Sequence, residues 1–259
     1  MNIEFHSHEQ QDEFIFNLFK DQKEGFFLDI SCGHPLIGSN SYALEKYCGW
    51  KGFGFDIGDV EADLQWSQHR TNPFIKMDAT SADLTDFLIS NIPVGKVVDY
   101  ISLDVDAAGT NLALQSLKRL LDSKIRFKAM TFEHECHIHG PDIRDEASAL
   151  LEAQGYIRLF EDVRLWGGGI VDDAGATFED WWIDPQYFDS NITTITDTGP
   201  YYWEAVAELK KFQKNEYTAK HRCCRAWPDE YDLFWNDGDE RTQKDFMSRM
   251  TQRIDNEGI

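Results

Sequence analysis

The sequence predicts an α/β fold: a doubly wound, mostly parallel seven-stranded sheet that ends in an antiparallel hairpin. Three observations predict it. Strand-like and helix-like runs alternate along residues 26–154. VVDYISLDV (97–105) is β-branched and almost continuously apolar, as a strand covered on both faces must be. The last two strand-like runs follow one another across a Gly-rich connection with no helix between them.

In chain order, EQQDEFIFNLFKDQ (9–22) places Phe14, Ile15, Leu18 and Phe19 at helical spacing. Phe26–Ser31 follows as a strand. Ser39 or Asn40 can cap a helix through Tyr42, Leu44 and Tyr47. Gly49 and Gly52 bracket the turn into a strand over Phe53–Ile57, and Phe74–Met77 is a third. Thr80–Ile92 reads as a helix with Leu84, Phe87 and Leu88 on one face, ended by Pro93 and Gly95. After the strand 97–105 come a helix over Asn111–Leu121 and a strand over Phe127–Phe132. Pro141 then opens a helix over Asp142–Gln154, which Gly155 stops. Ile157–Asp162 and Thr177–Ile183 form the hairpin. Beyond Pro185 the period fades: Ser190–Pro200 is polar and Thr-rich, Tyr201–Gln213 reads as one more helix, and the remainder has no dependable period. The expected organisation is one domain over 1–189 and a partly helical C-terminal extension over 190–259.

The 259 residues are 42% hydrophobic, enough for a sizeable core. No apolar run approaches the ~18–20 residues of a membrane span. MNIEFHSHEQQDEF has neither the basic nor the apolar region of a signal peptide. Five cysteines without a CxxC pair suit a reduced, cytoplasmic setting. The net charge is −21, of which residues 1–200 carry −19. Such a surface repels phosphate backbones and argues against a nucleic-acid partner.

In a doubly wound sheet, ligands bind beyond the carboxyl ends of the strands. Four carboxylates stand at predicted strand exits: Asp29, Asp56, Asp78 and Asp104. Asp29-Ile-Ser-Cys-Gly33 is followed by Gly38. Ser31 stands where a dinucleotide fingerprint has its first glycine, and no Gly-Lys-Ser/Thr follows. A carboxylate beside this turn repels a pyrophosphate and favours an ammonium or sulfonium group; alternatively, it satisfies backbone groups of the turn. Asp56 ends GFGFD, about twenty residues on, where an acid can take both ribose hydroxyls. Asp78 in KMDAT can reach an adenine amino group or cap the next helix. Asp104 and Asp106 share a face if the strand stays regular. Such an acid can bind an amino group, a metal or a substrate hydroxyl, or cap a helix.

Glu133-His134-Glu135-Cys136-His137-Ile138-His139 is the densest ionisable cluster. Histidine is the residue type for a general base near neutral pH. The cluster also has zinc- or iron-binding residue types but matches no zinc spacing, so no metal is assigned. Arg164, Trp166 and Gly167–Gly169 lie in the hairpin connection, a candidate lid with substrate contacts. FEDWW (178–182) reads as core and edge strand. Cys223 and Cys224 carry no assigned function.

Taken together, LDISCGHPLIGSNSYALEKYCGWKGFGFDI, VVDYISLDVDAAGTNLALQSL, FEHECH, IRDEASALLEAQGY and FEDWWIDP resemble the FkbM-type methyltransferases over residues 25–187. The resemblance implies the Rossmann-like methyltransferase fold, S-adenosylmethionine as cofactor, and O-methylation of a hydroxyl on a small molecule or carbohydrate. By position it makes Asp29, Gly33 and Gly38 the first cofactor motif, Asp56 the ribose acid, Asp78 the adenine-side acid and Asp104 the acid at the fourth strand. Glu133 and His134 match its glutamate-histidine pair. Ser31 replaces a small Gly/Ala, Asp106 stands where the family often has Glu then Gly, and His137 and His139 lie outside its pattern. The implied reaction is in-line displacement, with His134 as the expected base, His137 or Asp104 as alternatives, and His137, Arg164 and Trp166 on the substrate side. Two other readings stay open. One is a metal-dependent enzyme using Asp104, Asp106 and the His134–His139 cluster. The other is a non-catalytic module acting through residues 190–259.

Overall fold

The computed structural model describes residues 2–20, 22–105, 111–165, 176–195, 197–213 and 216–222. The chain begins with a strand that periodicity does not predict, β1 (Asn2–Phe5), and then the expected helix α1 (Gln11–Leu18). Next come β2 (Phe26–Ile30), α2 (Tyr42–Cys48), β3 (Lys51–Asp56), the short helices α3 (Val60–Leu64) and α4 (Trp66–His69), and β4 (Phe74–Lys76). The second half of the winding is α5 (Ala82–Asn91), β5 (Val98–Leu103), α6 (Leu112–Asp122) and β6 (Phe127–Glu133). One helical turn, α7 (Cys136–His139), precedes α8 (Asp142–Glu152). The hairpin β7 (Ile157–Leu165) and β8 (Ala176–Ile183) follows, then α9 (Ser190–Thr193), β9 (Asp197–Thr198), α10 (Tyr202–Gln213) and β10 (Thr218–His221).

The main sheet runs β4-β3-β2-β5-β6-β8-β7-β9. Strands β2 to β6 pair in parallel, and β8 inserts antiparallel between β6 and β7. The expected seven strands are therefore eight. The addition is β9, two residues parallel to β7, in the polar, Thr-rich stretch where no strand is expected. A strand of two polar residues leaves no period to detect. A separate parallel pair, β1 with β10, joins the described beginning of the chain to its far end.

Both faces of the sheet are covered, which is why its strands read as continuous apolar runs. Neighbouring side chains point to opposite sides. Phe27, Tyr100, Ala129 and Trp181 enter one core; Leu28, Ile101, Met130 and Trp182 enter the other. FEDWW thus supplies core on both faces, as expected for its tryptophans, but from an interior strand rather than the expected edge. The first core also takes Phe14 and Ile15 of α1 and Ala205, Val206 and Leu209 of α10. Residue 189 is therefore not a packing boundary among the described residues. The extension shares the domain's core because its helix buries α1.

Strand order reverses between β2 and β5, where α/β sheets open a crevice at the carboxyl ends. Asp29 and Ser102 stand in direct register on these two strands.

Candidate functional site

The chain leaves β2 through a tight turn. The Ser31 and Cys32 amides both donate to the Phe55 carbonyl, at 2.8 and 3.0 Å. Ser31 and Gly33 adopt left-handed φ of 65° and 53°. A Cβ on Gly33 would meet no atom within 4 Å, so this turn borders open space. The Gly33 amide donates 3.1 Å to Asp56 Oδ2, and Gly58 donates 2.8 Å to Asp56 Oδ1. The turn after β2 and the acid after β3 are thereby locked together. Gly38 has φ 70°, and a Cβ there would lie 2.5 Å from His8 Nε2. Ser7 bridges Gly38, so residues 6–10 lie against this loop.

Asp29 is buried, and its carboxylate accepts from the Ser41 hydroxyl at 2.5 Å and from the Ser102 hydroxyl. Burial pushes its carboxyl up to about 6; Ser41 and Arg70 pull down, and the Asp104 charge pushes up. Arg70 is the hub behind it. Its guanidinium donates to Ser41 Oγ (2.8 Å), Ser39 Oγ (3.1 Å), the Pro35 carbonyl (3.1 Å) and Glu45 Oε2 (2.7 Å), and stacks 4.6 Å above Trp66. The cap position of α2 is Ser41 rather than the expected Ser39 or Asn40, although the Ser39 hydroxyl accepts from the Tyr42 amide at 3.2 Å. Asn40 instead turns its Nδ2 to Ser102 Oγ at 2.9 Å.

Asp78 is exposed and accepts from the Thr80 amide and hydroxyl at 2.8 and 2.7 Å. Its side chain closes the turn before α5, while Ser81 caps the helix. Asp104 is half-buried just past β5. Asp106, Trp166, Gly167–Gly169, Cys223 and Cys224 lie outside the described residues. Glu133 registers opposite Glu179. Glu179 is buried, accepts from the Trp181 indole and bonds Gln11. Burial, with Asp104 and Glu9 adding, pushes its carboxyl well above the usual range.

The two histidines after β6 differ sharply. His134 is buried; Nδ1 accepts the Cys136 amide at 3.1 Å. Its proton therefore sits on Nε2, which faces Asp180 Oδ1 at 3.6 Å and Asp162 Oδ1 at 4.0 Å. Nε2 makes no hydrogen bond among the described residues, and in this tautomer it holds a proton rather than a lone pair. His137 is exposed, and its Nδ1 lies 3.0 Å from the Thr177 carbonyl. A carbonyl only accepts, so Nδ1 carries the proton and Nε2 the lone pair.

His134, Asp162 and Asp180 have the donor types of a divalent-metal site. The set does not fit one. The nitrogen facing the acids is the protonated one, and Arg144 already holds both Asp162 oxygens at 2.9 Å. Asp162 reaches this position through an irregularity in β7, with φ 53° and its amide donating 2.7 Å to Asp180. Arg164 of the same strand lies over Tyr201 at 4.6 Å, and its amide donates to the Pro200 carbonyl.

No protein-family model matches the sequence, and no curated protein matches it. Solved structures do. Human methyltransferase-like protein 13, in complex with SAH, superposes with TM-score 0.51 at 13% identity, over 81% of this chain and 92% of that one. The fold is that of the class I methyltransferases. A Clostridium thermocellum protein designated an rRNA-methylase gives 0.44 at 16% identity over 70% and 96%. The METTL16 MTase domain gives 0.40 at 15% over 69% and 66%.

Of the expected cofactor residues, the fold brings Asp29, Gly33, Gly38, Asp56 and Asp104 to the switch-point rim or the loop beside it, while Asp78 stands after β4, bonded to Thr80. Sequence reasoning missed Arg70, Ser102, Glu179 and the β7 acid Asp162. Ser102, Asp162 and Glu179 sit in segments whose pattern reads only as strand, and Arg70 in a stretch with no pattern.

Proposed function

We propose that this protein transfers a methyl group from S-adenosylmethionine to a hydroxyl of a small molecule or sugar, as its FkbM-type resemblance implies. The observation that carries the reading is Asp56. It ends the strand next to β2 and is fixed by the Gly33 amide of the neighbouring turn, where a ribose acid belongs. The residues at the rim fit such a donor. Asp29, Asp56 and Asp104 are acids, Gly33 borders open space, and the buried cation Arg70 is turned to Ser39, Ser41, Pro35 and Glu45. A cationic donor without phosphates suits this surrounding; a dinucleotide diphosphate does not.

S-adenosylmethionine supplies an electrophilic methyl group on sulfur. The protein's part is to hold donor and acceptor in line, which is worth up to ~7–11 kcal/mol, and to take the acceptor's proton. We assign the proton to His137 Nε2, the lone-pair nitrogen of an exposed histidine, at a contribution of ~10²–10⁴-fold. Asp104 is the second candidate, and Arg164 and Trp166 belong to the acceptor side. The net charge of −21 favours a neutral or basic acceptor over nucleic acid.

Isothermal titration with S-adenosylhomocysteine tests the reading. Wild type is expected to bind, and Asp56→Ala to bind about tenfold or more weakly, as loss of hydrogen bonds to a charged group predicts. No binding by wild type would sink the methyl-donor reading. Equal affinities would remove Asp56 from it.

A further inference from the structure

Asn40 is buried at the switch point, and its Oδ1 makes no hydrogen bond among the described residues. A buried acceptor left unpaired costs ~1–3 kcal/mol, so such an atom calls for an explanation. Which end of the amide is orphaned is settled by its neighbours. An ionised carboxylate only accepts, so Ser41 and Ser102 both donate to Asp29. Having given its one proton to Asp29, Ser102 Oγ can only accept from Asn40. It therefore faces the amide's NH₂, at 2.9 Å. The amide cannot turn over without setting two acceptors against each other. Its carbonyl oxygen is held away from Ser102, buried and ready to accept.

The ligand group must therefore be a hydrogen-bond donor, and the local charge selects a cationic one. Asp29 lies one serine away, and Asp104 is near enough for its charge to act on Asp29. The guanidinium of Arg70 is spent on the far side of Ser41. The geometry points to Asn40 Oδ1 as the acceptor for the α-ammonium of the methyl donor's amino-acid half, with Asp29 orienting it through Ser102 instead of touching the ligand. This inference rests on the methyl-donor reading above and moves the ammonium contact from the carboxylate expected to make it onto a neutral amide.

Calorimetry on the full chain tests it with two probes, S-adenosylhomocysteine and its analogue lacking the α-amino group. Wild type should prefer the amino-bearing ligand about tenfold or more, the size of a hydrogen bond to a charged group. In Asn40→Ala the preference should close to within about twofold, the analogue's own affinity holding. Asn40→Asp keeps an acceptor oxygen, so the preference should persist. Ser102→Ala frees the amide to turn and should shrink the preference without removing any ligand contact; it carries the test if Asn40→Ala does not melt as a folded protein. An undiminished preference in Asn40→Ala and Ser102→Ala, or an equal loss for both probes, overturns the assignment while the donor reading stands. Failure of wild type to bind either probe overturns the donor reading instead.

Discussion

His134 and His137 stand one helical turn apart, and their partners force opposite tautomers on them. A backbone amide must meet a lone pair, so the Cys136 amide strips His134 Nδ1 of its proton. A backbone carbonyl must meet a proton, so Thr177 gives His137 Nδ1 one. The consequence separates the two experimentally. His137→Asn should lower turnover ~10²–10⁴-fold at unchanged donor affinity. His134→Asn keeps an acceptor for the Cys136 amide but empties a buried site between two carboxylates. It should lower the melting temperature, at a cost of ~1–3 kcal/mol, while the folded fraction keeps near-normal turnover. Steady-state kinetics alongside thermal melts would show this, and the reverse assignment would exchange the two effects. The sequence places both histidines in one cluster, with His134 the expected base and His137 an alternative. Spacing shows that two imidazoles are near one rim; only their backbone partners show which nitrogen is basic.

At the scale of elements, the loop between β2 and α2 is held by side chains from within itself and from far along the chain. His34 Nδ1 accepts both the Leu36 and Ile37 amides, at 3.0 and 2.9 Å, and the ring is buried. Burial, with the charges of His69 and His6 adding, pushes its pKa down from an ordinary 6.5 to about 3. Between those pH values the unfolded chain holds a proton that the folded one refuses. Stability from this residue is thus complete above 6.5 and is lost as pH falls toward about 3. Asp29 runs the other way, its raised carboxyl favouring the fold at low pH, but it is common to any pair of variants. His34→Asn keeps an acceptor oxygen for the two amides and removes the titration. Its melting temperature should fall less than that of wild type between pH 6.5 and 4, and parallel curves would remove His34 from the acid response. The turn itself was legible from Gly33 and Gly38, whose left-handed φ only glycine adopts freely. Arg70 was not, because a lone arginine between a short helix and a short strand has no pattern. Its importance appears only when Ser39, Ser41, Glu45 and Trp66 converge on it.

The order of the parallel strands could be read before the structure, because strands buried on both faces are apolar runs and each is followed by an amphipathic helix. What could not be read is how the chain's two described ends meet. Gln11, Asp12, Glu13 and Asn17 are all buried in α1, against every composition rule for polar side chains. Asp12 and Gln11 are held by residues 6–9 and Glu179, whereas Asn17 and Glu13 are met by residues after 189. Glu13 alone accepts from Lys210 Nζ at 2.5 Å and Tyr217 OH at 2.7 Å, and meets His221 Nε2 at 2.6 Å. Burial pushes the Glu13 carboxyl up, but those three hydrogen bonds outweigh it and hold the group below its ordinary value. α10 and the β1–β10 pair close over the same helix. A chain cut after residue 189 would expose the apolar face of α1 and strand a buried glutamate without its cations. Losing one partner of a buried ion pair alone costs ~3–5 kcal/mol, a large share of the ~5–15 kcal/mol a domain has. The 1–189 fragment is therefore expected to show no cooperative melt and to expose amides of β2 and β5 to rapid hydrogen exchange. A sharp thermal transition in that fragment, with those strands still protected, would mean that the sheet carries its own stability and that the C-terminal elements are an addition to it.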